Sequence, residues 1–95
     1  MELFKLLENV SYELLDETVD LELIDVEMFD FDSRRIKKDY VYIALVRDNI
    51  DGHEFISSAY EHGARVFVVE KDVEKIDDCI YIKVNDSNIA YAIMA

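Results

Sequence analysis

Asp32, Ser33, Arg34 and Arg35 stand consecutively after an apolar stretch, setting a short acceptor, a hydroxyl and two guanidinium groups side by side. Arginine forks match carboxylate and phosphate oxygens, and ligands of α/β folds gather at strand ends, so this cluster is a candidate binding site. Other combinations offer less chemistry. His53 and His62 fall at opposite ends of one expected helix without a Cys or third His at ligand spacing, and read as two solvent-edge histidines. Cys79, the only cysteine, has no helix N-terminus or basic cluster beside it to stabilise a thiolate, and reads as an inert core thiol. A calcium-loop register that makes Gly52 sixth puts Arg47 first and Ser58 twelfth, where carboxylates are required, and is rejected. The acidic groups Asp16-Glu17-Asp20-Glu22 and Asp72-Glu74-Asp77-Asp78 fall where turns are expected and read as solvated loop charge.

Phosphate chemistry is constrained in the same way. Neither a Gly-x-x-x-x-Gly-Lys-Ser/Thr loop nor a Gly-x-Gly-x-x-Gly turn is present, so a triphosphate or dinucleotide lacks its usual backbone cradle. Asp51, expected at a helix N-cap, already fills the anion position there. Ten basic against 22 acidic residues give a net charge of −12, which disfavours nucleic acid and anionic membrane surfaces as partners. No apolar run reaches the roughly 18 residues of a membrane span, and the first residues lack a signal-peptide pattern. With a single cysteine, no intramolecular disulfide can form, and a reducing cytoplasm is the expected compartment.

The elements that must position these residues follow from hydrophobic spacing. Leu3, Leu6, Leu7 and Val10 predict a short amphipathic helix over residues 2–9. From Leu23 to Phe31, Ile24, Val26 and Met28 alternate with acids and predict a strand with that set facing inward. Ser33–Lys38 is a connection, and Tyr40–Val46 is a near-continuous apolar strand buried on both faces. Asp51 with Glu54 suggests a capping box and Gly63 a C-cap, around a helix whose inner stripe is Phe55, Ile56, Ala59 and Tyr60. Val66–Val69 completes a right-handed βαβ unit over residues 40–70, and Ile80–Val84 adds a strand. Asp86 caps a last helix with Ile89, Ala90, Ile93 and Met94 on one face, a pattern that stops midway at Ala95 and suggests a larger parent. The expected fold is α/β, a small mixed sheet with packed helices, in a single domain over residues 1–95.

Phe31-Asp-Ser-Arg34, the apolar strand after it, Asp51-Gly-His-Glu-Phe-Ile56 leading to Ala59 and Gly63-Ala64, and the closing Val84-Asn-Asp-Ser87 with Ala90 and Ala92 resemble, in order and spacing, the amino-terminal domain of Mur ligases. These enzymes add amino acids to the peptide stem of peptidoglycan precursors. Leu3–Leu7 followed by Tyr12-Glu-Leu-Leu15 looks more like the tripeptide-synthetase branch than the D-alanyl-D-alanine-adding branch. The resemblance implies recognition of the UDP part of UDP-N-acetylmuramoyl-dipeptide, with ATP and Mg2+ belonging to a central ATP-binding domain of the parent. It assigns substrate contacts to Phe31 and Ser33, and to Asp48, Asn49 and Ile50 in the loop after the second strand. A Phe can pack against uracil, and a Ser can both donate and accept. The chain departs from the family at three places: Lys38-Asp39-Tyr40 replaces Pro-Gly-Asp, Arg47 replaces a Gly, and Asn88 replaces an Arg. A stand-alone interaction module that uses its acidic face is the rival reading, favoured by the altered turns. A free-standing small enzyme is the third, and no nucleophile, base pair or metal set in the sequence supports it.

Overall fold

The computed structural model describes residues 1–95. Seven short strands and three α-helices follow the chain: α1 (Leu3–Leu6), β1 (Glu13–Leu14), β2 (Met28–Asp30), β3 (Tyr40–Ile43), β4 (Val46–Arg47), β5 (Ile50–Asp51), α2 (Ile56–His62), β6 (Val66–Val69), β7 (Ile80–Lys83) and α3 (Ser87–Met94). Five strands make one sheet in the order β1-β7-β6-β3-β2, parallel except for β1 against β7. The β4 and β5 strands pair separately as an antiparallel hairpin. The mixed sheet and the β3-α2-β6 unit agree with the sequence reading. No helix is long and apolar enough to cross a membrane.

Strand alternation divides the core in two. Val41 and Ile43 of β3 face a cluster with Leu3, Leu7, Val66, Val68, Ile82, Ala90 and Met94, under α1 and α3. Tyr42 and Ala44 face the other side with Ile56, Ala59, Phe67, Val69 and Tyr81, under α2. Because β3 and β6 are covered on both faces, their sequences are apolar at every position.

Several expectations are corrected. The first helix is a single turn, since after Leu6 the bonds Glu8 N–H to Lys5 O and Val10 N–H to Leu7 O tighten the chain into turns. The strand expected over 23–31 begins at Met28, because Leu21–Leu23 coils into a 3-10 turn capped by the Asp20 carboxylate. Met28 is therefore exposed, and Phe29 and Phe31 pack toward the core in its place. The capping box is half made: Asp51 accepts from His53 N–H, Glu54 returns no bond, and residues Gly52–Phe55 form a 3-10 turn ahead of α2. Phe55 is exposed as a result. In α3 the inward stripe is Ser87, Ala90, Tyr91 and Met94, and Ile89 and Ile93 face outward.

Lys38-Asp39-Tyr40 makes a tight turn without a glycine. Asp39 takes φ 64°, a left-handed conformation that Asp tolerates better than most residues. Its N–H donates to Gly63 O and its carbonyl accepts from Glu27 N–H. Gly63, at φ 121°, packs so close that a Cβ would lie 2.7 Å from Lys38 Cα. The β3 entry and the α2 exit are thus fixed to each other.

Candidate functional site

At the carboxyl end of β2 and β3 a cavity of about 540 Å3 opens. Phe31, Ser33 and Ile50, three of the residues singled out from sequence, line it together with Asp32 and Arg34. The cluster is placed there by the turn that follows β2, in which Asp30 accepts from Asp32 N–H at 2.9 Å and Asp32 accepts from Arg34 N–H at 3.0 Å. Arg34 bonds both oxygens of Asp32 through Nε and Nη2, at 3.0 and 2.9 Å. That clamp holds the Asp32 carboxyl down at about 2, with the Arg34 side chain the main cause. Ser33 is buried, and its hydroxyl bonds no protein group, which leaves it available to a ligand in the cavity.

Asp48 and Asn49 do not line the cavity. They form the exposed tip between β4 and β5, where Asp48 takes φ 47°. The hairpin instead presents Ile50 to the cavity, opposite Arg47 in the ladder. The remaining wall, Tyr42, Gly52, Phe55 and Ser58, was not singled out from sequence. Tyr42 carried a usable signal: a hydroxyl in a strand buried on both faces must find an acceptor. It donates to Gly52 O at 2.8 Å.

Burial, with the charges of Asp32 and Asp51 adding to it, pushes the Tyr42 phenol up to about 12. An unfolded tyrosine ionises near pH 10. The raised folded value means that the stabilisation from Tyr42 is complete below about pH 10 and is lost as pH rises toward 12. Tyr42→Phe is therefore expected to cost about 1 kcal/mol at pH 7, through the lost hydrogen bond, and to flatten the alkaline fall in stability. Urea midpoints at pH 7 and pH 11 measure this, and equal falls for both proteins would refute it.

The two remaining departures touch each other. Arg47 Nε donates to Asn88 Oδ1 at 2.7 Å, and Asn88 Nδ2 donates to Val46 O at 3.0 Å. The hairpin is thereby tied to the first turn of α3, which the Asp86 carboxylate caps at Asn88 and Ile89 N–H. Phe31 lies within reach of the same group: the Arg47 and Arg35 guanidinium carbons are 5.4 and 5.5 Å from its ring centroid, and Tyr91 of α3 meets it at 5.2 Å, nearly perpendicular. Asn88 and Tyr91 are thus positioning residues for the cavity wall.

His53 is corrected outright. Its side chain is only 4% exposed, far from the solvent-edge position expected. Glu70 N–H donates to Nε2 at 2.9 Å, so Nδ1 carries the proton and donates to Asp51 at 2.7 Å. Asp51 also receives Lys71 Nζ at 2.7 Å, and these donors, Lys71 foremost, hold its carboxyl far below the usual range. Its N-cap role leaves no place for a ligand anion. His62 is exposed and bonds Ser58 O. Cys79 is half-buried, and burial pushes its thiol up, away from the thiolate.

Comparison with known proteins gives these features a family. The profile of the Mur ligase family, catalytic domain, matches residues 25–93. The UDP-N-acetylmuramoyl-L-alanyl-D-glutamate--2,6-diaminopimelate ligase of Clostridium tetani is 38% identical over 98 residues, covering 100% of this chain and 20% of the relative. The ligase of the same name from Clostridium botulinum is 35% identical, with the same coverage. Among solved structures, MurF from Acinetobacter baumannii superposes with a TM-score of 0.73 at 17% identity, over 97% of this chain and 19% of that one. That likeness is one of fold. The chain spans about 20% of the length of the relatives it matches. By the match over residues 25–93 and by these identities, the chain belongs to the Mur ligase family.

Proposed function

We propose that these 95 residues are the nucleotide-sugar recognition domain of an amino-acid-adding ligase of peptidoglycan synthesis, working in the cytoplasm on UDP-N-acetylmuramoyl-dipeptide. The carrying observation is convergence: Phe31 and Ser33, from the turn after β2, and Ile50, from the hairpin, line one cavity at the carboxyl end of parallel strands, where α/β folds take ligands. An aromatic ring, a branched aliphatic and a free hydroxyl suit a flat base that needs packing and a hydrogen bond. Relatives named for a UDP-N-acetylmuramoyl-L-alanyl-D-glutamate substrate and for 2,6-diaminopimelate support the diamino-acid-adding branch. Asp48 and Asn49, exposed at the hairpin tip next to Ile50, would meet the part of the ligand that projects from the cavity.

ATP and Mg2+ belong to the rest of the parent ligase in this reading. The chain has no glycine-rich phosphate loop and no group of three His, Cys, Asp or Glu able to hold a metal ion. No step through either is assigned to its residues. The interaction-module reading drew on the altered turns. Asp39 adopts a left-handed turn and Asn88 braces Arg47, which supports the recognition reading over that of a damaged site.

Titration of the chain with UDP-N-acetylmuramic acid, followed by NMR chemical shifts, tests the proposal. Shifts are expected at Phe31, Ser33, Tyr42 and Ile50. Ser33→Ala should weaken binding about fivefold, the value of one hydrogen bond near 1 kcal/mol. Shifts absent at millimolar ligand, or gathered elsewhere on the surface, would overturn it.

A further inference from the structure

The chain has four arginines, and three are engaged. Arg34 pairs with Asp32 at 2.9 Å, Arg35 with Asp30 at 3.1 Å, and Arg65 donates to the carbonyls of Tyr60 and Ala64 while covering the Tyr60 ring. Arg47 differs. Its Nε is bound to the neutral amide of Asn88 and its guanidinium rests near the Phe31 ring, but no carboxylate pairs with it and neither terminal nitrogen donates to a protein group. This holds in a chain where acids outnumber bases 22 to 10. Two links bring the free end of Arg47 to the cavity: Phe31, which it contacts, and Ile50, its partner in the hairpin ladder, both form the wall.

Holding a long side chain in one rotamer costs entropy that a ligand would otherwise have to offset on binding. Asn88 removes much of that cost beforehand, since its oxygen accepts from Arg47 and its nitrogen is anchored on Val46 O. A fixed fork with both terminal nitrogens unused beside an aromatic-lined cavity suits an anion attached to a flat ring.

We infer that Arg47, positioned by Asn88, contacts the phosphates of a nucleoside diphosphate whose base occupies the Phe31 cavity. This rests on the recognition function proposed above and adds the residue that distinguishes a phosphorylated from an unphosphorylated nucleoside. The Asp51 end of the hairpin cannot supply that contact, because its carboxylate already occupies the N–H of the turn it begins.

The test is calorimetric or NMR titration of the chain with uridine and with UDP, for the native protein and for Arg47→Ala, Arg47→Lys and Asn88→Ala. The native chain should bind UDP about tenfold more tightly than uridine, the worth of one charge-assisted contact. Arg47→Ala should bring the two affinities together, Arg47→Lys should restore part of the difference, and Asn88→Ala should reduce it about threefold. The UDP-to-uridine ratio is the decisive readout, since a merely structural role would move both affinities alike. If Arg47→Ala keeps the native ratio while Ser33→Ala weakens both ligands, the Arg47 assignment falls and the recognition site stands. If the native chain binds neither ligand at millimolar concentration, both fall.

Discussion

Gly52→Ala is expected to destabilise the chain by about 3 kcal/mol, lowering its melting midpoint by roughly 10–20 °C, and to abolish ligand binding at the cavity. The cause is contact. Gly52 has no positive φ, so alanine could adopt its backbone conformation, unlike at Gly63. A Cβ on Gly52 would lie 2.8 Å from both Leu45 N and Leu45 O, and 3.0 Å from Ala44 C. Neither neighbour can withdraw easily, because Ala44 N–H is bonded to Val68 O at 2.9 Å and both residues are buried. The hairpin and the 3-10 turn must move instead. That movement strains the bond from Gly52 N–H to Leu45 O at 2.7 Å and the bond from Tyr42 Oη to Gly52 O at 2.8 Å. It also carries Ile50 and Phe55 away from the cavity wall. Urea and thermal denaturation with a parallel UDP-N-acetylmuramic acid titration measure both effects. A variant with the native midpoint would show that the hairpin is not fixed as described.

The parts of this architecture that were legible in the sequence are those where one residue type has one physical meaning. The apolar run at 66–69 is a strand covered on both faces, and Gly63 ends a helix. The strand expected over Tyr40–Val46 stops at Ile43: Leu45 N–H turns back onto Ile43 O, and Val46 leaves the sheet, exposed, to pair with Asp51 in the hairpin. The Leu23–Phe31 segment misled because its alternation is interrupted. Asp20 offers a competing cap to the backbone, coils Leu21–Leu23, and shifts the register so that Phe29 and Phe31 turn inward. Local side-chain bonding of this kind competes with strand pairing and leaves little trace in hydropathy. In the site, Phe31, Ser33 and Ile50 were reachable through the family resemblance. The Arg47-Asn88 pair was not, since 41 positions separate its members and nothing in either residue's neighbourhood names the other. His53 is the same case: its buried ring accepts at Nε2 from Glu70 N–H, 17 positions away and brought alongside by the βαβ crossover.

Glu70→Ala should produce the second large loss, about 3 kcal/mol. Ser87 is fully buried, and both its N–H and its hydroxyl donate to Glu70 Oε2, at 2.7 and 2.6 Å. These are bonds to an ionised acceptor, each worth more than a neutral one. Alanine leaves two buried donors with no partner, so the desolvation cost of both adds to the lost bonds. Glu70→Gln keeps an acceptor oxygen in place and should cost about 1 kcal/mol, separating the loss of charge from the loss of the acceptor. Ser87→Ala removes one of the two donors. In a cycle with Glu70→Ala the double variant should therefore be more stable than the sum of single losses implies, by about 1 kcal/mol. The consequence reaches the cavity. Glu70 holds the first turn of α3, from which Asn88 braces Arg47 and Tyr91 packs on Phe31. A chain that loses this anchor should show faster amide exchange at Asn88–Tyr91 and weaker ligand binding, although residue 70 lies outside the cavity lining. Native exchange rates there in Glu70→Ala would show that the Asp86 cap alone secures the helix.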